Sequence, residues 1–435
     1  MKGLADRSLQ KAVAALALSL LMAGCSGGKG SDVTTPQPPA GSQNSSSHNY
    51  VGTQSVDESG KLEFGRLYGG TWTVTLDTSD KYFSYQNVAN EAAFVSNGTV
   101  GSTSGTSGFL TLDGTSGLNI GAAGYALEVP GEAALVRPGG NTIAPVVSVV
   151  TTGCPSLSAA TTYQFISFGT PSLKDTNTHV AYGSVQASNT GATWSFSNLS
   201  MYTFAGDSLS PAALPTGNCG YTQLGYVVNI PPSTQTNNLT LTAAVSPSGY
   251  FILDQGQGES SNADVASFAP TGPIGLVGVE KPSSAIDTSS LVSGKYLGFE
   301  YDPIDVMLGR KASLPTAFGQ TAGSGTTIVG GAYPNDDVTQ TPPSDVSIDF
   351  GQQDSQNNGL FKSVTVTVPD TYAACASTPF GGTDADGNPT CIFHGVAVVG
   401  KPNGKFAIFV TVNDVSLAIS HYTADAALDF FLYQQ

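Results

Sequence analysis

The sequence predicts an all-β protein: two to three tandem antiparallel β-barrel or β-sandwich modules behind a disordered N-terminal tether. Three observations predict it. Apolar and polar residues alternate with period two in many short segments, which puts every second side chain of a strand on one face. Only 11% of residues are charged, while 52 glycines and 25 prolines supply the turns that short strands require. A hydrophobic content of 40% is enough for packed cores and argues against wholesale disorder.

Taken in chain order, Thr71-Trp72-Thr73-Val74-Thr75-Leu76 sets Trp72, Val74 and Leu76 on one face. Tyr163-Gln164-Phe165-Ile166-Ser167-Phe168 and Tyr296-Leu297-Gly298-Phe299-Glu300-Tyr301 are related aromatic-rich strands. Residues 192–196, 239–245, 361–368 and 406–412 read as further strands. Pro247-Ser248-Gly249 and Pro402-Asn403-Gly404 each lead into an alternating run, as tight hairpins require. Residues 423–431 read as a final strand, with a helix as the competing assignment.

A weak repeat suggests related modules. Gly124-Tyr125-Ala126-Leu127-Glu128-Val129-Pro130 returns as Gly225-Tyr226-Val227-Val228-Asn229-Ile230-Pro231, and more loosely as Gly395-Val396-Ala397-Val398-Val399. Its irregular spacing excludes a solenoid. The expected organisation is a signal segment at 1–24, a flexible tether at 25–55, and β modules at 56–150, 151–285 and 286–435. The Ser-rich stretch 282–294 is the clearest inner linker.

The N-terminus has a basic head (Lys2, Arg7, Lys11) followed by an apolar run over residues 12–23. A secretory signal has this layout, and the run is shorter than the roughly 20 residues a membrane-spanning helix needs. It ends on Leu20-Leu21-Met22-Ala23-Gly24-Cys25, which resembles the lipobox of bacterial lipoproteins. Met22 stands where that pattern usually has Leu, Val or Ile. The resemblance implies that Cys25 is acylated, becomes the mature N-terminus and anchors the chain to a membrane. Ser26 after the cysteine, by the same resemblance, implies sorting to the outer membrane. Residues 26–50 carry almost no apolar side chains and read as the tether that gives the anchored body its reach.

Removing residues 1–24, with three basic residues and Asp6, leaves 13 basic and 31 acidic residues, a net charge of −18. Such a surface repels phosphate backbones, which excludes nucleic acid as a partner. It also disfavours docking on anionic lipid, so the membrane contact expected is the covalent one. Apart from Cys25, the cysteines are Cys154, Cys219, Cys375 and Cys391, an even number that reads as two disulfides in an exported chain. Three pairings are possible; module boundaries favour Cys154 with Cys219 and Cys375 with Cys391. The short second loop would contribute very roughly 3 kcal/mol in the chain-entropy model. No Cys-x-x-Cys occurs, so a zinc site is not expected.

No complete catalytic constellation is legible. Gly206-Asp207-Ser208-Leu209-Ser210 resembles the nucleophile block of GDSL esterases, but no Asp-x-x-His follows to supply the base. Asp384-Ala385-Asp386-Gly387-Asn388 resembles the start of a calcium loop, which makes Asp384, Asp386 and Asn388 the one metal candidate. The glycine two positions later and the closing glutamate of that loop are missing. Trp72 and Trp194 suggest a sugar-stacking face, but core packing is the default for such residues. Gly70-Thr71-Trp72 resembles the opening of lipocalin-type barrels, which implies an internal ligand cavity. Residues 245–251 resemble the strand entry of surface-layer-type propeller repeats, although too few repeats occur for a propeller.

These observations favour a non-catalytic, lipid-anchored cell-envelope protein that displays β modules for binding or structural roles, with no cofactor. The alternative is a secreted carbohydrate-binding or carbohydrate-cleaving protein. A glycan or an envelope protein is the ligand class expected.

Overall fold

The protein is described from a computed structural model. It covers residues 47–54, 70–87, 95–102, 108–116, 124–137, 144–167, 180–209, 211, 213–222, 224–231, 240–254, 275–302, 313–369, 381–383, 387, 389–413 and 427–435. Among these residues, strands form three closed antiparallel barrels of eight ring strands each, and all three run up and down in chain order.

The first barrel comprises β1 (Ser47–Gln54), β2 (Gly70–Asp77), β3 (Tyr82–Asn87), β4 (Val95–Ser102), β5 (Leu110–Ser116), β6 (Gly124–Val129), β7 (Ala133–Arg137) and β8 (Val146–Val150), closed by pairing of β1 with β8. The second runs through β9 (Thr161–Ser167), β10 (Tyr182–Thr190), β11 (Thr193–Tyr202), β13 (Gly217–Thr222), β14 (Gly225–Ile230), β15 (Leu241–Val245), β16 (Tyr250–Asp254) and β17 (Gly275–Glu280). Pairing of β17 with β9 closes it, and the short β12 (Ser208–Leu209) hangs on the edge of β11. The third comprises β18 (Tyr296–Tyr301), β19 (Ser313–Ser324), β20 (Thr327–Ala332), β21 (Val346–Asp349), β22 (Leu360–Pro369), β24 (Pro389–Gly400), β25 (Ala407–Asn413) and β26 (Ala427–Gln434). Here β22 pairs with β24, β26 pairs with β18, and β23 (Gly381–Thr383) lies beside β24.

Period-two alternation builds each barrel wall, with inward side chains filling the lumen. Tyr50, Trp72, Val74, Phe83 and Tyr85 pack the first barrel. Phe165, Trp194, Phe196 and Phe251 pack the second, and Tyr296, Phe318, Phe361, Phe393 and Phe430 the third. The lumens are therefore apolar and occupied, and the cavity implied by Gly70-Thr71-Trp72 is taken up by Trp72 and its neighbours.

A fourth apolar cluster is made from the outer faces of all three barrels. It includes Val51, Phe109 and Leu135 of the first, Ile166, Tyr250 and Val277 of the second, and Phe299, Phe409 and Tyr433 of the third. Strands lining this shared core are buried on both faces: every described side chain of β7, β8, β15, β16, β18 and β25 is buried. The modules are thus fused around one core and are not separate beads on a string.

Polar contacts stitch the seams. Asp254 of β16 accepts hydrogen bonds from Thr53 of β1 and from Thr71 of β2, the latter at 2.9 Å. Arg137 at the end of β7 forms an ion pair with Asp336 at 2.9 Å, and the Tyr125 hydroxyl donates to the Asp336 carbonyl at 2.6 Å. Asn335 and Asp336 both take left-handed backbone angles, φ 54° and 60°. Each such residue costs about 1 kcal/mol and persists where its surroundings hold it, as Arg137 and Tyr125 do here.

Two expectations need correction. Ser47–Gln54 lies inside the segment expected to be tether, yet it is β1, the strand that closes the first barrel. It escaped notice because Tyr50 faces the lumen while Val51 and Thr53 face the second barrel. Burial on both sides erases the alternation by which strands are read. The sequence repeat does not mark equivalent strands either. Its copies fall on β6 and β24, each sixth around its ring, but on β14, which is fifth.

Candidate functional site

Among the described residues, the expected site residues scatter. Cys154 and Cys219 form a disulfide, with Cα atoms 5.9 Å apart. It fastens the connector after β8 to β13, and Asn189 holds the same connector through Leu157 N–H and the Pro155 carbonyl. Cys391 is also disulfide-bonded. Its expected partner Cys375, the acylation candidate Cys25, and Asp384, Asp386 and Asn388 lie outside the described residues. Among the described residues no group of three or more His, Cys, Asp or Glu is placed to hold a metal ion.

Ser208 sits on the two-residue edge strand β12, exposed, with its hydroxyl directed at the Leu209 carbonyl. Asp207 closes a turn with Thr203, so the Gly-Asp-Ser block is a chain reversal. His394 lies within 3.3 Å of the Thr365 hydroxyl, on the third barrel. Trp72 and Trp194 are 1% and 0% exposed, which removes both as sugar-stacking faces.

One end of the first barrel is polar. Glu128 accepts a hydrogen bond from the Tyr50 hydroxyl at 2.6 Å and lies 2.8 Å from His48 Nδ1. Burial, together with the Glu128 carboxylate, pushes the Tyr50 phenol far above its ordinary range. Burial likewise raises Tyr163, Tyr250, Tyr296 and Tyr433, so these phenols stay protonated at physiological pH.

Among the described residues, a cleft of about 470 Å³ lies on the seam between the second and third barrels. Ser248 and Glu280 enter it from the second barrel, Lys401, Pro402 and Phe406 from the third, and residues 281–287 form the wall between. Its size falls in the roughly 300–1,000 Å³ range of small-molecule sites. The sequence read 282–294 as a linker. It does connect β17 to β18, and it also braces the seam: Asn358 donates to the Pro282 carbonyl and Ile286 N–H donates to Gln353. It then forms the short helix α1 (Thr288–Val292), capped by Asp287.

Glycines set the cleft's geometry. Gly249 turns the β15–β16 hairpin at φ 100°, and a Cβ there would meet the Glu280 side chain at 2.7 Å. Gly359, at φ 83°, lets Pro282 approach; a Cβ would meet its ring at 2.8 Å. Three of the charged or hydroxyl groups are already committed. Asp287 accepts from Ser289 N–H, from the Ser289 hydroxyl and, at 2.6 Å, from the Ser290 hydroxyl. Those bonds hold its carboxyl below the usual carboxylate range. Lys281 donates to the Gln356 carbonyl and to Asn357, and Ser248 donates to Glu132 of the first barrel at 2.6 Å. Sequence reading missed Glu280 and Lys401 because they flank turns far apart in the chain. The Pro402-Asn403-Gly404 turn was the only available signal.

No protein-family model matches the chain, and no curated protein matches it. Among solved structures, it is similar to a mutant of transferrin binding protein B from Haemophilus parasuis at 11% identity. That match covers 92% of this chain and 77% of the other, with a TM-score of 0.26. The isotype 1 transferrin binding protein B of serogroup B Neisseria meningitidis gives 11% identity, coverage of 90% and 77%, and a TM-score of 0.23. Likeness at this level carries no inference about activity or partner.

Proposed function

We propose that this chain is a non-catalytic, lipid-anchored protein of the bacterial cell envelope, sorted to the outer membrane, whose three-barrel body serves binding. The carrying observation is the fusion of three barrels with packed lumens around one shared core. Such a body offers its seams and loops to a partner. The lipobox-type run ending at Cys25 supports the anchoring, because a body of this polarity would otherwise leave the membrane. A membrane-spanning barrel carries an apolar outer band around a polar lumen. On the open face of the second barrel the polarity is reversed: on β11 Trp194 and Phe196 point inward while Thr193, Ser195 and Ser197 face solvent.

Metabolic labelling with palmitate tests the anchor. The chain should take up label and partition with the outer membrane, and Cys25→Ala should lose both. Label retained by that variant would overturn the reading.

A further inference from the structure

We infer that the seam cleft binds a small amphoteric molecule, an amino acid or short peptide with both ends free. The inference assigns a ligand class to the body described above, and it stands or falls independently of acylation. With Asp287, Lys281 and Ser248 hydrogen-bonded to neighbouring protein groups, Glu280 and Lys401 are the charged groups left to contact a ligand directly. Among the described residues neither forms an ion pair. They enter from opposite barrels, and the Lys401 ammonium rests 4.8 Å from the centroid of the Phe406 ring. That contact holds the cation at the cleft without neutralising it.

This arrangement selects by charge. A simple anion drawn to Lys401 meets the Glu280 carboxylate, and a simple cation drawn to Glu280 meets Lys401. The strongly acidic remainder of the chain repels anions further. A ligand carrying an ammonium and a carboxylate on one short body satisfies both groups, with its carboxylate on Lys401 and its ammonium on Glu280. Charge-assisted hydrogen bonds of this kind are the strong ones, and a half-enclosed cleft screens them less than open water does. Pro402 and Ile286 give the body of the ligand an apolar surface, and the exposed hydroxyls of Ser283 and Ser284 line the mouth.

Calorimetric titration of the whole chain in detergent tests this, using alanyl-leucine, N-acetyl-alanyl-leucine and alanyl-leucinamide. The free dipeptide should bind, and each blocked analogue should bind at least about tenfold more weakly. Lys401→Gln should abolish discrimination against the amide, and Glu280→Gln should abolish discrimination against the acetylated peptide. Both variants should unfold at the parent temperature, since both side chains are exposed. Absence of binding by all three probes, equal binding of all three, or discrimination surviving both substitutions would each overturn the inference. Palmitate labelling would be untouched by any of these outcomes.

Discussion

β11 and β16 belong to the same barrel and differ in what lies behind them. β11 alternates strictly at its start, with Thr193 and Ser195 exposed and Trp194 and Phe196 buried. β16 is buried at all five positions, because its outer face meets the other barrels. The difference teaches that alternation records one solvent-facing side and not strand formation as such. Side chains on the shared face work harder, since each bears on more than one barrel.

The largest test of that contrast is Phe409→Ala. Phe409 is 1% exposed in the shared core and packs on Phe431 and Tyr433 at centroid distances of 6.1 and 6.3 Å. Its truncation should cost about 3–5 kcal/mol by denaturant unfolding, whereas Ser195→Ala on the open face of β11 should stay within about 0.5 kcal/mol. Amide exchange should show protection falling in all three barrels. Loss confined to the third barrel would break the idea of a coupling core.

Next comes Arg137→Ala. It leaves the Asp336 side chain, only 12% exposed, beside Tyr125 without its cation, at an expected cost of about 3 kcal/mol. A loss below about 1 kcal/mol would mean that the seam between first and third barrels is held by packing alone.

The smallest effect belongs to an open seam. Lys362 meets Asp354 at 2.6 Å, and its ammonium lies 5.9 Å from the centroid of the Tyr202 ring of the second barrel. Burial works to raise the Asp354 carboxyl, but the Lys362 bond and the Gln356 and Asn357 N–H groups together outweigh it and bring it below its ordinary value. The hydrogen bond to Asp354 raises Lys362 above its ordinary value. A depressed acid stabilises above its unfolded pKa and loses that stabilisation as pH falls through the folded one. A raised base stabilises below its unfolded pKa and loses it as pH rises through the folded one. The pair therefore contributes fully between about pH 4 and 10. Lys362→Ala should cost about 0.5 kcal/mol at neutral pH and nothing in strong acid, as read by chemical denaturation across pH. An equal loss at both extremes would assign the effect to the lysine stem and not to its charge.

Legibility followed the same division. Thr71 to Leu76 was readable as a strand because Trp72, Val74 and Leu76 alternate with threonines. The hairpin at Pro247-Ser248-Gly249 was readable because only glycine takes the required angle without strain. Cys154 with Cys219 followed from the parity of the cysteines and the module boundaries. β1 was hidden, since Tyr50 and Val51 are both buried on opposite faces. The cleft was hidden too, because Glu280 and Lys401 are brought near one another by barrel docking, which no local pattern encodes.

By itself the sequence determined the all-β character, the turns and the acidic surface, consequences of local periodicity and composition, and it favoured the first disulfide that the structure then showed. The tertiary structure alone decided that the strands close into three rings, that the rings share one core, and that two opposite charges flank a cleft. Each of these depends on residues a hundred or more positions apart, and alternation along a strand says which side is buried without saying against what.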